Sequence, residues 1–562
     1  MVKRTLDESE QDPHHPPSKR LRVKHVDRLS VLSDELVLRV LSYVSVSTLN
    51  TCQRVSHRFH TIASDSQLWK AAYYDRFVRP RASRIPGIKD PKASSDNLLF
   101  SSKLSKWLDE ANLVKRGKET DWKRQYKLRH NWSKGTCDVD EIPVSEQPTI
   151  PPLLVRFHAG TVYAADSTSG LRAWSTKKDR TLVASRALPS QLAGKDCRPT
   201  SLAIDTDERT TSFQRIAVGF DDGSFSVYCL DRLNHTFRHL YSHPGSSNGI
   251  LTAVAYASSY LLTMTDTQLL SFYRFPKQPS AEDRASDILG PPRLLYSLKS
   301  HTVWSPLSLS IRLSPSSIVA AIAYVLPTSF TGWSVGVQEL RLSPEGELLN
   351  SRLASAALDG YQSLASSSLR SSRYGATVFD WEGLSTMPSS STSSSKPTSL
   401  SYSHPYLLIS HPDNTLTLYL VTSTASALSI SPGSRLWGHT SSVSGAHVGV
   451  RGKAVSVSSR GDELRVWELE GGSSTSAFRR RQAMGDVSIR ITPEKKPAPD
   501  PQDLDAISDA ISQRGSGLGL ALEHKLDELA ITRGCVGFDE ENVIVLRERS
   551  QGTQALVVYD FT

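Results

Sequence analysis

The sequence predicts a mainly β protein: a seven-bladed β-propeller preceded by a small all-α unit and a helical linker. Three observations carry this reading. Beyond Gly135 the chain runs as short alternating strands separated by turn residues, and seven segments end alike, six of them on an aromatic. Before Gly135 the apolar spacing is instead that of a helix. A chain of 562 residues also has room for several domains or for one large closed β architecture with an appendage.

Composition narrows the function classes. Apolar residues make up 38% of the chain, so parts of it are expected to be loop or disorder. No apolar run reaches the 18 or so residues of a membrane helix, and the start resembles no secretion signal, so a soluble, intracellular protein with no membrane partner is expected. Cys52, Cys137, Cys197, Cys229 and Cys535 lie far apart without a CxxC pair, which supports neither a disulfide framework nor a zinc site. His14 and His15 lie in a polar tail and are read as solvated.

The formal net charge is +9, but its placement matters more than its size. Between Arg76 and Lys134 there are 16 Lys and Arg against 6 Asp and Glu, which accounts for the whole imbalance. Such a segment suits an acidic protein surface or nucleic acid, and equally a solvated helical linker. Nucleic acid is not the expected partner.

In chain order, residues 1–28 read as a disordered basic tail. There Lys3, Arg4 and the cluster Lys19, Arg20, Arg22 and Lys24 look like a two-part import signal, so nucleus and cytoplasm are both expected locations. Residues 29–78 turn helical. Ser33 is placed to cap a first helix, with Asp34 and Glu35 in its first turn, where the helix dipole favours negative charge. Ser47 is placed to cap a second helix carrying Leu49, Cys52, Val55 and Phe59, and Asp65 a third carrying Leu68, Trp69, Ala72, Tyr73 and Phe77. At roughly 100° per residue, Leu36, Val37, Leu38, Val40, Leu41, Tyr43 and Val44 sweep an apolar arc of about 220°, wider than a small domain needs for its own core. The excess predicts an outside partner.

LSDELVLRVLSYVSVSTLNTCQRVSHRFHTIASDSQLWK, residues 32–70, resembles the F-box over its full length, including the Leu-x-Asp-Glu-Leu opening, the Val-Ser-x-Arg of residues 55–58 and the closing Leu-Trp. It departs from the family at Ser33, usually proline, and at Phe59, usually tryptophan. The resemblance implies that the excess apolar face docks on a Skp-type adaptor and, through it, on a cullin. By position, Leu32, Leu36, Val40, Leu41 and Leu49 are the expected adaptor-binding residues, with Leu68 and Trp69 closing the helix triangle.

Residues 79–134 read as a helical linker. Leu104, Trp107, Leu108 and Ala111 stand at helical spacing, and Trp122 and Tyr126 are one turn apart. Its close, WKRQYKLRHNWSKG, resembles the tract joining F-box to propeller in F-box/WD-repeat proteins.

Residues 135–562 carry the repeat. GHTSSVSGAHVGVRGKAVSVSSRGDELRVWEL, residues 438–469, resembles a WD repeat, with Gly438-His439 at its start, Ser459 on a strand, and Leu464, Val466 and Trp467 at its end. In the family the histidine, serine, turn aspartate and tryptophan form a buried hydrogen-bonded set; here Gly461 and Asp462 stand in swapped order, so an incomplete set is expected. Weaker copies end at Trp174, Tyr228, Tyr273, Tyr419 and Tyr559, and WSVGVQEL, residues 333–340, fills the gap without an aromatic. Asp222-Gly223 and Asp413-Asn414 have the chemistry of tight hairpins. Seven third strands mean seven blades. The last copy stops after its third strand, so Cys137–Ile142 is expected to supply the fourth and close the ring. Insertions at about 350–400 and 470–525 read as loops or disorder.

The leading reading is therefore a non-catalytic binding subunit: a propeller that holds a protein substrate, possessing no cofactor, and an F-box that delivers it to a Skp-cullin-F-box (SCF) ubiquitin ligase for degradation. A scaffold acting outside ubiquitin transfer is the alternative. No phosphate-cradling loop, GxSxG or HExxH motif supports an enzyme. Related propellers read phosphorylated peptides with arginines at the mouth, and the matching positions here are Arg156 and Arg460, the others holding Ser444, Asp221, Asp266 and Pro412. Arg156 and Arg460 are thus the candidate substrate-binding residues, for a partner that carries phosphate or not.

Overall fold

The computed structural model describes residues 29, 31–78 and 120–562, apart from 178–179, 190–196, 207–212, 277–288, 300–302, 315–316, 329–331, 357–394, 425, 450–451, 462, 470–487, 494–530 and 550–551. The basic tail, the centre of the linker and most of both insertions therefore lie outside the described residues. The chain divides into two compact units, residues 1–126 and 127–562.

Among the described residues the first unit holds four short α-helices, α1 (Asp34–Leu41), α2 (Val46–Cys52), α3 (His57–Ala63) and α4 (Ser66–Tyr73), the last continued by a π-helical turn (Tyr74–Val78), and the first turn of α5 (Trp122–Lys134). Sequence spacing predicts three helices; the expected second one is broken into α2 and α3. Ser45, not Ser47, caps α2 by accepting from the Thr48 amide, and Ser56 caps α3 from the Phe59 amide. A capping serine in mid-pattern offers the backbone an exit from the helix, and Val55 is left exposed in the turn. Asp65 caps α4 as expected, its carboxylate 2.7 Å from the Gln67 amide. Val37, Leu41, Leu49, Ile62, Ala63, Leu68, Trp69 and Tyr73 form the core, which Trp122 and Tyr126 complete. Tyr126 meets Trp69 edge-on at 5.6 Å, and Trp122 meets Tyr73 at 5.5 Å. Fifty residues make a marginal core, and these two aromatics enlarge it.

The second unit is a seven-bladed propeller. Blades 1 to 4 are each a four-stranded antiparallel meander, with first strands Leu154–His158, Pro199–Ile204, Leu251–Ala257 and Trp304–Leu313. Blades 5 and 6 begin at Ser399–Ser403 and Val443–Val448, and blade 7 at Ile531–Phe538. Each first strand lies against that of the next blade, and blade 7's against blade 1's, so the seven make a closed inner ring. The seven expected third strands are all third strands: Gly170–Ser175, Phe225–Asp231, Leu269–Arg274, Gly332–Leu342, Leu416–Ser423, Leu464–Glu468 and Gln554–Asp560. Blade 4, which lacks the closing aromatic, takes one from its second strand: the Tyr324 ring lies over Gly336, where a Cβ would come within 2.7 Å of it.

The ring closes as expected. Thr136–Ser145 pairs antiparallel with Gln554–Asp560, in register Asp138 to Asp560 and Ile142 to Leu556, and so becomes the outer strand of blade 7. The predicted insertions are too wide at their edges. Leu348–Ser355 and Ser399–Ser403 are strands of blades 4 and 5, and Ser488–Arg490 is the outer strand of blade 6. A three-residue strand in a polar stretch has no alternation long enough to read.

Candidate docking face and propeller rim

The arc on α1 divides into two stripes. Val37 and Leu41, one turn apart, are 2% and 4% exposed and form core. Leu36, Val40 and Tyr43, at i, i+4 and i+7, are 54%, 50% and 74% exposed. Leu29, Val31 and Val55 of the same unit are also exposed. Of the expected adaptor-binding residues, Leu36 and Val40 are therefore available, and Leu32 is half-buried against the core. Leu41 and Leu49 are a correction: both are buried in the unit's own core, because α1 and α2 each pack one face against α3. Leu68 and Trp69 are likewise core, and Trp69 Nε1 donates to the Ala63 carbonyl at 2.9 Å.

What fixes α1 is a residue that sequence spacing leaves without a role. The Ser33 side chain makes no capping bond. The Glu35 carboxylate is held below its usual range, first by its own backbone amide and then by the Ser33 hydroxyl. Arg58 does the anchoring, donating through Nε (2.9 Å) and Nη2 (2.6 Å) to Asp34 Oδ1 and through Nη2 to the Leu32 carbonyl. The Val-Ser-x-Arg motif thus pins the start of the helix that carries the exposed stripe.

In the propeller, the turns between second and third strands line one rim, and the chain reaches the next blade along that same rim. Arg460 lies exposed in this turn of blade 6. Arg156 does not join it. Arg156 sits mid-strand in the inner ring, opposite Tyr163, with Nη1 3.2 Å from the Val155 carbonyl. Its charge reaches His447 on the first strand of blade 6. Desolvation by the surrounding protein, and then Arg156, push that imidazole down to about 4. The two arginines thus occupy different levels of the ring. Asp221, Asp222, Asp266 and Asp413 occupy the corresponding turns of blades 2, 3 and 5. Gly223 (φ 76°) and Asn414 (φ 64°) take the left-handed conformation that these turns require.

The family model described as F-box protein pof12 beta-propeller matches residues 137–562, and the F-box-like model matches residues 34–75. The chain belongs to the F-box protein pof12 β-propeller family. Solved structures similar to this F-box protein are the WD40 β-propeller domain of Doa1 (13% identity, 75% of this chain and 95% of that one, TM-score 0.34), YCF48 from Cyanidioschyzon merolae (7%, 75% and 99%, 0.40) and Sqt1 of Saccharomyces cerevisiae (8%, 75% and 98%, 0.35). A search of curated protein sequences gives no match.

The strongest repeat of this F-box protein holds a fuller polar set than its sequence predicts. Ser456, not Ser459, is the central hydroxyl: Trp467 Nε1 donates to its Oγ at 2.7 Å, and His439 Nε2 lies 2.6 Å from it. Ser459 pairs with Ser442 at 2.8 Å instead. Asp462 lies outside the described residues, and Glu463, fully buried, does the work of the turn acid. It accepts from the Thr440 amide at 2.8 Å and from Arg465 Nε at 2.7 Å, and stands 3.4 Å from His439 Nδ1. Burial pushes its carboxyl up, but the Thr440 amide, Arg465 and the Thr440 hydroxyl outweigh that and bring it to about 2.

Among the described residues, Cys197, Asp221 and Asp222 are close enough to share a metal ion. Their groups are otherwise engaged: Asp221 accepts from the Arg198 amide, Asp222 from the Ser224 amide, and burial, with the neighbouring Asp222, pushes the Cys197 thiol up to about 11.

Proposed function

We propose that this F-box protein is the substrate-recognition subunit of an SCF-type ubiquitin ligase, non-catalytic itself, whose propeller holds a protein substrate for ubiquitination. An F-box is generally a Skp1-binding module. The observation that carries the reading is the stripe of Leu36, Val40 and Tyr43, an apolar face that the unit's own core leaves uncovered. Covering the half of Leu36 and of Val40 that remains exposed is worth about 1 kcal/mol each, and covering Tyr43 adds to this. A receptor of this kind needs no reactive group, because its effect is to raise the local concentration of substrate lysines near an enzyme supplied by its partners.

The test substitutes the exposed pair. Leu36→Asp with Val40→Asp is expected to abolish co-purification of a Skp-type adaptor while the propeller's melting transition is unchanged. Leu41 is unsuited to this experiment, since a buried aspartate there would unfold the unit. Adaptor recovery equal to the parent chain's would refute the assignment.

A further inference from the structure

Among the described residues the rim of the propeller carries two exposed tryptophans, and strand register places both in one sector. Trp304 begins the first strand of blade 4 and pairs with Val325, while Pro327 pairs with Trp333, so both indoles border the second-to-third turn of that blade. Leu436 on the outer strand of blade 5 pairs with Leu416, the first residue after that blade's second-to-third turn. Trp437 therefore emerges on the same rim. Arg460 follows in the equivalent turn of blade 6. Trp304 is 48% exposed and Trp437 60%. Trp69, Trp122, Trp132, Trp174 and Trp467, by contrast, are all buried.

Cations accompany these indoles. Lys396 Nζ stands 6.0 Å from the Trp333 ring and 3.4 Å from the Ser305 hydroxyl, beside Trp304. The Arg435 guanidinium stands 5.9 Å from the Trp437 ring and 3.7 Å from Asp413. Among the described residues, no carboxylate is within salt-bridge distance of Lys396 or Arg460. Of the rim aspartates named above, Asp221, Asp222 and Asp266 lie on blades 2 and 3, and Asp413 alone enters this sector, on blade 5, where it is paired with Arg435.

We propose that this sector, centred on Trp304 and Trp437 with Lys396, Arg435 and Arg460 around them, is the surface that grips substrate. Its ligand is an extended peptide segment in which an aliphatic or aromatic side chain is flanked by anionic groups. The indoles supply large, rigid apolar contact at little entropic cost, and tryptophan and arginine dominate binding energy where they are desolvated together. The cations match an acidic neighbour in the peptide, whereas a basic segment would be drawn to blades 2 and 3. The inference deepens the receptor reading by naming the substrate's chemistry, and it departs from the pairing of Arg460 with Arg156, which lies inside the ring.

The test pans phage-displayed random dodecapeptides on the full chain and measures the best synthetic peptides by fluorescence anisotropy. Enrichment of sequences with an apolar residue beside Asp or Glu is expected. Affinity for these should fall at least tenfold in Trp304→Ala with Trp437→Ala, and similarly in Lys396→Glu with Arg460→Glu. Leu233→Ala, at an exposed leucine in the turn after the third strand of blade 2, on the opposite rim, should leave affinity unchanged. Replacing the acidic residue by phosphoserine assigns the anion: tighter binding identifies phosphate as the recognised group, weaker binding a carboxylate. A melting curve for each variant shows that it is folded. Panning that yields no acidic-apolar consensus, or undiminished binding by the tryptophan variant, overturns the proposal. Neither result bears on adaptor binding, which the Leu36 and Val40 substitutions read separately.

Discussion

Glu463 is the residue whose chemistry most clearly exceeds its sequence context. The Gly461-Asp462 order suggests a damaged repeat, yet a glutamate one position on reaches the Thr440 amide, Arg465 and the neighbourhood of His439 with its longer side chain. Its folded-state pKa lies below the ordinary carboxylate value, so its stabilising effect is fully present above about pH 4.5 and is lost as pH falls toward about 2. Glu463→Gln keeps the shape and removes the charge. It is expected to cost roughly 1.5–3 kcal/mol at pH 7, the range for hydrogen bonds to charged groups, and progressively less at pH 3 and below. Denaturant titrations of both proteins at the two pH values measure this. A difference that does not change with pH would show that the charge is not what Glu463 contributes.

At the scale of elements, the sequence was legible where periodicity was long and one-sided. All seven third strands and the Trp122–Tyr126 turn could be read because alternation or a 3.6 period ran for five or more residues, and the ring-closing strand because the last copy stops one strand short of a full blade. The split of α2 from α3 could not, since Leu49, Cys52, Val55 and Phe59 keep an apolar helical spacing straight through the break, and only the capping serines Ser45 and Ser56 mark it. The arc on α1 was legible in width but not in division: a hydropathy pattern does not tell an inward leucine from an outward one, which left Leu41 and Leu49 on the wrong side. The sequence puts Arg460 in the turn before a third strand and Arg156 early in the first repeat, but it does not show that these two positions lie at different levels of the ring. Arg58 has a corresponding prediction. Its bonds to Asp34 and to the Leu32 carbonyl hold the first turn of α1, and the groups are partly exposed, so Arg58→Ala should lower the stability of the helical unit by only about 0.5–1.5 kcal/mol. The local effect should be larger: amide exchange across residues 34–38 is expected to accelerate several-fold more than across α4. Equal acceleration in both helices would mean that Arg58 supports the whole fold and not the start of α1.

At the scale of the whole molecule, the propeller is held shut by two segments distant in sequence. Strand Gln554–Asp560 is the seam: it pairs with Asn542–Glu548 on one side and with Thr136–Ser145 on the other. Its side chains Leu556, Val557, Val558 and Tyr559, and Phe561 just beyond, are all buried. Phe561 stacks on Trp132 at 3.9 Å within the same unit, and the Asn131 amide donates to the Phe561 carbonyl at 2.9 Å. Burial of five such side chains contributes about 7–15 kcal/mol, which equals the entire net stability of a typical domain. Deleting residues 554–562 would also leave the strands at 136–145 and 542–548 with unpaired edges. The deletion is therefore expected to abolish the cooperative calorimetric transition of the β unit, whereas deleting residues 1–28 should leave it in place. Phe561→Ala gives a graded version, lowering stability by about 3–5 kcal/mol through the cavity it leaves beside Trp132. If the chain lacking 554–562 melts cooperatively within a few degrees of the full protein, the inner ring alone closes the propeller, and the seam is only a covering.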